Sequence, residues 1–150
     1  HIGVVHSSNL CTEITLNTSK EEVAVCNLGS INLAQHIVND KLDVKKLKSS
    51  VRTAVRMLDN VIDISNYPLE AQHREAQAKR RIGLGLTGLA DALIMCGLRY
   101  DTHSGRAAAQ AWMQTIQNAY GFPPTAIPRC QPDLAGLYAA HSGGYAAQDI

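Results

Sequence analysis

The stretch Ser8-Asn9-Leu10-Cys11-Thr12-Glu13 sets an amide, a thiol and a carboxylate at alternate positions. Residues two apart in an extended strand project from one face. Asn9, Cys11 and Glu13 would then form one row, with Leu10 and Thr12 opposite. A core strand does not normally aim three polar groups the same way, and these three are parts of acid–base and thiol chemistry. Periodicity alone favours a plainer reading: a half-exposed strand with its carboxylate in water and an inert buried cysteine. A second motif, Gly83-Leu84-Gly85-Leu86-Thr87-Gly88, matches GxGxxG by letter. A dinucleotide site needs a buried strand directly before the first glycine. The preceding Ala78-Lys79-Arg80-Arg81-Ile82 is basic and helix-forming. The glycines are therefore read as small residues that let the following helix approach a neighbour. Lys79, Arg80 and Arg81 read as a surface cluster, with a phosphate or a carboxylate as the alternative partner.

The four cysteines, Cys11, Cys26, Cys96 and Cys130, form no CxxC pair, and the six histidines supply no HExxH. No metal site is predicted. The cysteines are too sparse for a disulfide scaffold, so a reducing, cytoplasmic setting is the default.

The elements that would position these residues fall into three regions. Cys11–Leu16 and Val23–Cys26 read as two strands joined by a polar turn, after which Gly29-Ser30 breaks the chain before a short helix starting at Ile31. From Asp43 the sequence turns helical. Asp43 caps a helix whose apolar positions are Val44, Leu47, Val51, Val55, Leu58 and Ile62. Lys45, Lys46, Lys48, Arg52 and Arg56 lie mostly on its other side and read as a solvated face, with anion binding as the alternative. Asn66-Tyr67-Pro68 ends this helix. Further helices are predicted over Leu69–Arg81, Thr87–Cys96 with Gly97 as C-cap, and Ser104–Tyr120 with Ala108, Trp112, Ile116 and Ala119 along one face. The third region, residues 121–150, holds four of the five prolines and no sustained period, and reads as an irregular, flexible tail.

Composition excludes several classes. The chain has 150 residues, enough for one ordinary domain. Its net charge of +1 gives no general drive toward nucleic acid or anionic membrane. Aromatics at 5% weaken any case for a base-stacking nucleic-acid surface. No apolar run approaches the roughly 20 residues of a membrane span. The chain lacks an initiator Met and a secretory signal, which reads as a piece of something longer.

Taken together, the Ser8–Ile14 run, then Val23-Ala24-Val25-Cys26-Asn27-Leu28-Gly29-Ser30-Ile31-Asn32-Leu33, resembles the active-site core of the catalytic (large, α) subunit of ribonucleotide reductase. Arg56-Met57-Leu58-Asp59-Asn60-Val61-Ile62-Asp63, Tyr67-Pro68 and Arg80-Arg81-Ile82-Gly83-Leu84-Gly85-Leu86-Thr87-Gly88-Leu89-Ala90-Asp91 resemble the same family in the same order. The resemblance spans residues 1–120 and implies a helix-rich α/β fragment of a ten-stranded barrel. It makes Ser8–Glu13 the substrate-binding strand and overturns the plainer reading of the Asn9–Glu13 row. Cys11 is similar to the cysteine held as a thiyl radical that abstracts the 3′ hydrogen of a ribonucleotide. Glu13 is similar to the carboxylate that accepts the 3′-hydroxyl proton, and Asn9 to the amide that orients the substrate hydroxyls. Cys26 is similar to one of two reducing cysteines, whose partner lies far upstream in family members.

By the same resemblance the partners are a ribonucleotide, the remaining segments of the catalytic subunit, and thioredoxin or glutaredoxin as external reductant. No cofactor is expected directly on this chain. The radical comes from a diiron small subunit in class I, which the Ser-Asn-Leu-Cys-Thr-Glu start resembles, or from adenosylcobalamin in class II. The upstream cysteine, the phosphate loop and the radical-relay tyrosines have no counterpart here, so the isolated chain is expected to turn over no ribonucleotide. Two other readings compete: a non-catalytic helical fragment that binds the rest of the enzyme, and a dinucleotide-binding oxidoreductase built on Gly83–Gly88.

Overall fold

The computed structural model describes residues 5–6, 16 and 18–120. Strand β1 (Asn27–Asn32) leads into a 3-10 turn (Leu33–His36) and a small hairpin of β2 (Ile37–Val38) and β3 (Lys41–Leu42). Asn39 and Asp40 carry the hairpin turn at positive φ, as two-residue turns with the twist of a hairpin require. Helix α1 (Val44–Ile64) and helix α2 (Glu70–Lys79) follow, then β4 (Ile82–Thr87), α3 (Leu89–Met95) and α4 (His103–Tyr120).

β1 and β4 pair in parallel, from Asn27 opposite Ile82 to Asn32 opposite Thr87. Parallel neighbours need a long crossover, and here α1 and α2 supply it. α1 begins where the sequence predicts: Asp43 Oδ1 accepts from the Lys46 backbone N–H at 2.9 Å. Its stripe of Leu47, Val51 and Ile62 is buried, with Val55 and Leu58 packed alongside. Val44 is the exception, exposed in the first turn. The main core joins Leu47 and Val51 to Ile31 and Leu84 of the strand pair, Leu93 of α3, and Trp112, Ile116 and Ala119 of α4. The α4 face is the predicted one.

The helix-rich α/β character agrees with expectation, but three local readings need correction. Val23–Cys26 is not a strand; the strand begins at Asn27 and runs through Gly29-Ser30. β1 alternates, but its inward positions are Asn27, Gly29 and Ile31, so the apolar signal is weak. Gly29 leaves room for the Leu58 side chain, 3.5 Å from where a Cβ would stand. The helix expected from Ile31 reduces to the 3-10 turn.

The second correction concerns Gly83–Gly88. Gly83 and Gly85 lie inside β4, whose residues Ile82 to Gly85 are all buried. They form neither a helix-packing turn nor a phosphate loop. Only Gly88 turns the chain, at φ +67 as the N-cap of α3. The helix expected to run through Arg81 stops at Lys79 because Arg80 adopts the left-handed conformation, at φ 44. That break lets a strand start two residues later. α2 also starts at Glu70, one residue later than predicted, with Leu69 as its cap residue.

The third correction shortens the apolar helix to Leu89–Met95. Cys96 is the cap residue, and Gly97, the predicted C-cap, follows it at φ +67, where its N–H meets Ile94 O at 2.9 Å and Leu98 N–H meets Leu93 O at 2.9 Å. The predicted strand Cys11–Leu16, apart from Leu16, and the predicted tail 121–150 lie outside the described residues.

α4 opens on a compact turn. Thr102 Oγ1 donates to Arg99 O at 2.8 Å and accepts from Gly105 N–H at 3.1 Å. A Cβ on Gly105 would press into the Arg99 carbonyl oxygen. Gly105→Ala is therefore expected to destabilise the chain by about 1–3 kcal/mol despite alanine's better helix propensity. A thermal melt checks it, and an unchanged or raised midpoint would contradict the packing described.

Candidate active site

Ser8, Asn9, Leu10, Cys11, Thr12 and Glu13 lie outside the described residues. Cys26 is the described member of the predicted site, and its surroundings are informative. It immediately precedes β1, and Arg81 immediately precedes β4. The parallel register continues one step beyond the strands: Asn27 N–H donates to Arg81 O at 3.2 Å. The thiol and the guanidinium residue thus stand side by side at the leading ends of two paired strands. Asn27 Nδ2 also donates to Leu58 O at 3.2 Å, tying this end of β1 to α1. Cys26 Sγ lies 3.9 Å from Asn27 O.

Arg81 is only 2% exposed. Its Nη1 lies 3.5 Å from Glu75 Oε2, and the same oxygen lies 3.0 Å from Lys79 Nζ. Lys79 reaches on to Glu22 Oε1 at 3.2 Å. A chain of alternating charges therefore runs from Arg81 through Glu75 and Lys79 to Glu22. Burial lowers the pKa of Arg81, opposed by the charges of Glu75, Cys26 and Glu22. Tyr120, at the end of α4, is pushed up by burial and secondarily by the charge of Cys26. Tyr120 and Val25, the residue before Cys26, pack against the same small core of Ile62, Ala76 and Ile82.

Arg80 faces the other way. Its Nε meets Asp59 Oδ1 at 2.8 Å, and Nη1 and Nη2 meet the two Asp63 oxygens at 2.7 and 3.0 Å. The hydrogen bond from Arg80 holds the Asp63 carboxyl below its ordinary range. Arg80 thus fastens α1 to the turn that aims Arg81 inward. The Lys79–Arg81 run is not a plain surface cluster: all three residues meet carboxylates of their own chain.

Sequence reading missed the buried Arg81 and the carboxylates of Glu75 and Glu22 that, with Lys79, form the charge network at this strand end. The available signal was Ile82–Leu86, a continuous apolar run of the kind a buried parallel strand shows. Reading it as a strand would have put Arg81 at a strand end; its place next to the start of β1 depends also on the register of Asn27 against Ile82. Cys96 stands apart as the C-cap of α3, its thiol pushed up by burial and then by Asp40. Among the described residues no three His, Cys, Asp or Glu side chains gather as a metal site, and no helix is long and apolar enough to cross a membrane.

Residues 1–120 match the family described as ribonucleotide reductase, barrel domain. The ribonucleoside-diphosphate reductase subunit alpha of Chlamydia trachomatis is 58% identical over 100 residues, covering 67% of this chain and 10% of the relative. The large chain of that enzyme in Neurospora crassa is 36% identical over 152 positions, covering the whole chain and 16% of the relative. The large subunit of Monkeypox virus is 34% identical over 150 residues, again the whole chain and 19% of the relative. The chain thus spans between a tenth and a fifth of the length of these relatives. A match over four fifths of the sequence, in a segment whose strands seat the predicted reducing cysteine at a paired strand end, establishes that the chain belongs to the ribonucleotide reductase barrel-domain family.

Proposed function

We propose that this chain is the part of a ribonucleotide reductase catalytic subunit that carries the radical cysteine, Cys11, and one reducing cysteine, Cys26, within a ten-stranded α/β barrel. The observation that carries the reading is Cys26 at the leading end of β1, in a segment matching the barrel-domain family over residues 1–120. Cys11, as a thiyl, takes the 3′ hydrogen and becomes a thiol. Glu13 accepts the 3′-hydroxyl proton, which needs hydrogen-bond reach to that oxygen. Asn9 orients the hydroxyls, with Ser8, Leu10 and Thr12 completing the binding strand. The 2′-hydroxyl leaves as water. Cys26 and a partner cysteine outside this chain give up two electrons and two protons and end as a disulfide. Cys11 then returns its hydrogen to the 3′ carbon and is a thiyl again. The sum is one ribonucleotide and one dithiol converted to one deoxyribonucleotide, one disulfide and water.

A diiron small subunit supplies the radical if the enzyme is class I, the reading we favour, and adenosylcobalamin supplies it in class II. Thioredoxin or glutaredoxin would reduce the disulfide, in the cytoplasm. The names of the relatives favour a ribonucleoside diphosphate as substrate. The test uses the full-length subunit carrying this segment, with its radical source, dithiothreitol and labelled cytidine diphosphate. Deoxycytidine diphosphate is the expected product. A full-length holoenzyme that binds the nucleotide and yields no deoxynucleotide would overturn the reading.

A further inference from the structure

The first four turns of α1 carry a stripe of cations that neither the core nor the proposed reaction uses. Lys45, Lys48, Arg52 and Arg56 recur at three- and four-residue spacing and so share one face. All four are exposed. With Ser49 and Thr53 they line an open groove of about 600 Å³. At the helical rise the stripe is about 16 Å long. The ion pairs among the described residues belong to Lys79, Arg80, Arg81 and Arg99, and none of the four stripe cations takes part. Lys46, off the stripe, is engaged: its Nζ donates to Gln35 O at 2.6 Å.

Folding does not account for this arrangement. The first turn of α1 has no acidic residue, and cations near a helix N-terminus oppose the macrodipole. Lys48, Arg52 and Arg56 repel one another at four-residue spacing. The acids on the same face, Asp59 and Asp63, are already held by Arg80. The face is left positive at a cost to the isolated helix.

We propose that this face of α1 docks an acidic, extended peptide segment of a partner protein. An extended chain places alternate carboxylates about 6.6 Å apart, close to the roughly 6 Å of rise between Lys48 and Arg52 and between Arg52 and Arg56. The two guanidinium groups suit bidentate capture of carboxylates. Ser49 and Thr53 line the same groove, and their hydroxyls can meet peptide groups. A long nucleic acid fits less well, because beyond Arg56 the stripe turns acidic at Asp59 and Asp63. No aromatic side chain of the described groove offers a stacking surface. A bilayer fits less well too, since the apolar face of α1 is already buried in the core.

The test titrates the 150-residue chain with a fluorescein-labelled peptide of alternating glutamate and serine, at low salt. Saturable binding is expected, weakened at least about tenfold by Arg52→Gln with Arg56→Gln, which keeps helix propensity. Lys46→Gln should leave it unchanged. Circular dichroism of each variant confirms the fold. No saturable binding, equal loss in Lys46→Gln, or an oligothymidylate of similar length binding as tightly would each overturn the proposal. The readout is independent of ribonucleotide turnover, so it stands or falls apart from the proposed reaction.

Discussion

Replacing Cys11 by serine in the full-length catalytic subunit is expected to abolish deoxynucleotide formation, by at least about a thousandfold, as when one member of a catalytic unit is removed. Serine nearly preserves the shape, so substrate binding should change little. The O–H bond is stronger than the S–H bond, so a radical cannot be placed on the serine oxygen as it is on sulfur. Cys26→Ser should fail differently. Hydrogen abstraction from the 3′ carbon needs only Cys11 and should survive, but a single remaining thiol cannot supply two electrons and close a disulfide. Release of label from 3′-tritiated substrate separates the two: absent in Cys11→Ser, present without product in Cys26→Ser. Equal and complete loss of 3′-hydrogen release in both variants would refute the assigned roles.

Of the candidate site, the Asn9–Glu13 row was legible only as polar side chains on one strand face, and the roles proposed for it and for Cys26 come from the family resemblance. The α1 cap at Asp43 and the buried faces of α1 and α4 were legible too, because helical period reports one-sided burial directly. The strands were less so. β4 is buried over consecutive residues and so lacks the alternation of a half-exposed strand, while β1 does alternate but turns only Asn27, Gly29 and Ile31 inward, a weak apolar signal. Glycines at 29, 83 and 85 then read as breaks although they lie within pairing. One backbone angle, the left-handed Arg80, decides that α2 ends and β4 begins. A bulky arginine in that region is rare, and its identity gives no warning of it. The charge chain behind Cys26 was hidden for the same reason: it depends on the register of Asn27 against Ile82, a non-local fact.

Arg80 and Arg81 put this to a sharp test, being neighbours of one type with opposite burial. Arg81 is almost fully buried against Glu75, whose side chain is 11% exposed. Removing one partner of a buried ion pair leaves a charge without water or counter-ion and costs about 3–5 kcal/mol. Lys79 still neutralises part of Glu75, so Arg81→Ala is expected near the lower end. For a chain of this size that lowers the melting midpoint by about 6–12 °C. Arg80 sits in a one-third-exposed fork, where each pair is worth about 0.2–1 kcal/mol. Arg80→Gly also relieves the left-handed strain, so its net loss should stay within about 1 kcal/mol. Replacing the buried pair together, Arg81→Met with Glu75→Leu, should recover most of what Arg81→Ala loses, because no uncompensated charge is left between them. Urea denaturation of the three variants measures all of this. If Arg80→Gly costs as much as Arg81→Ala, or the double replacement is worse than the single one, the buried charge chain behind Cys26 does not hold the strand ends as described.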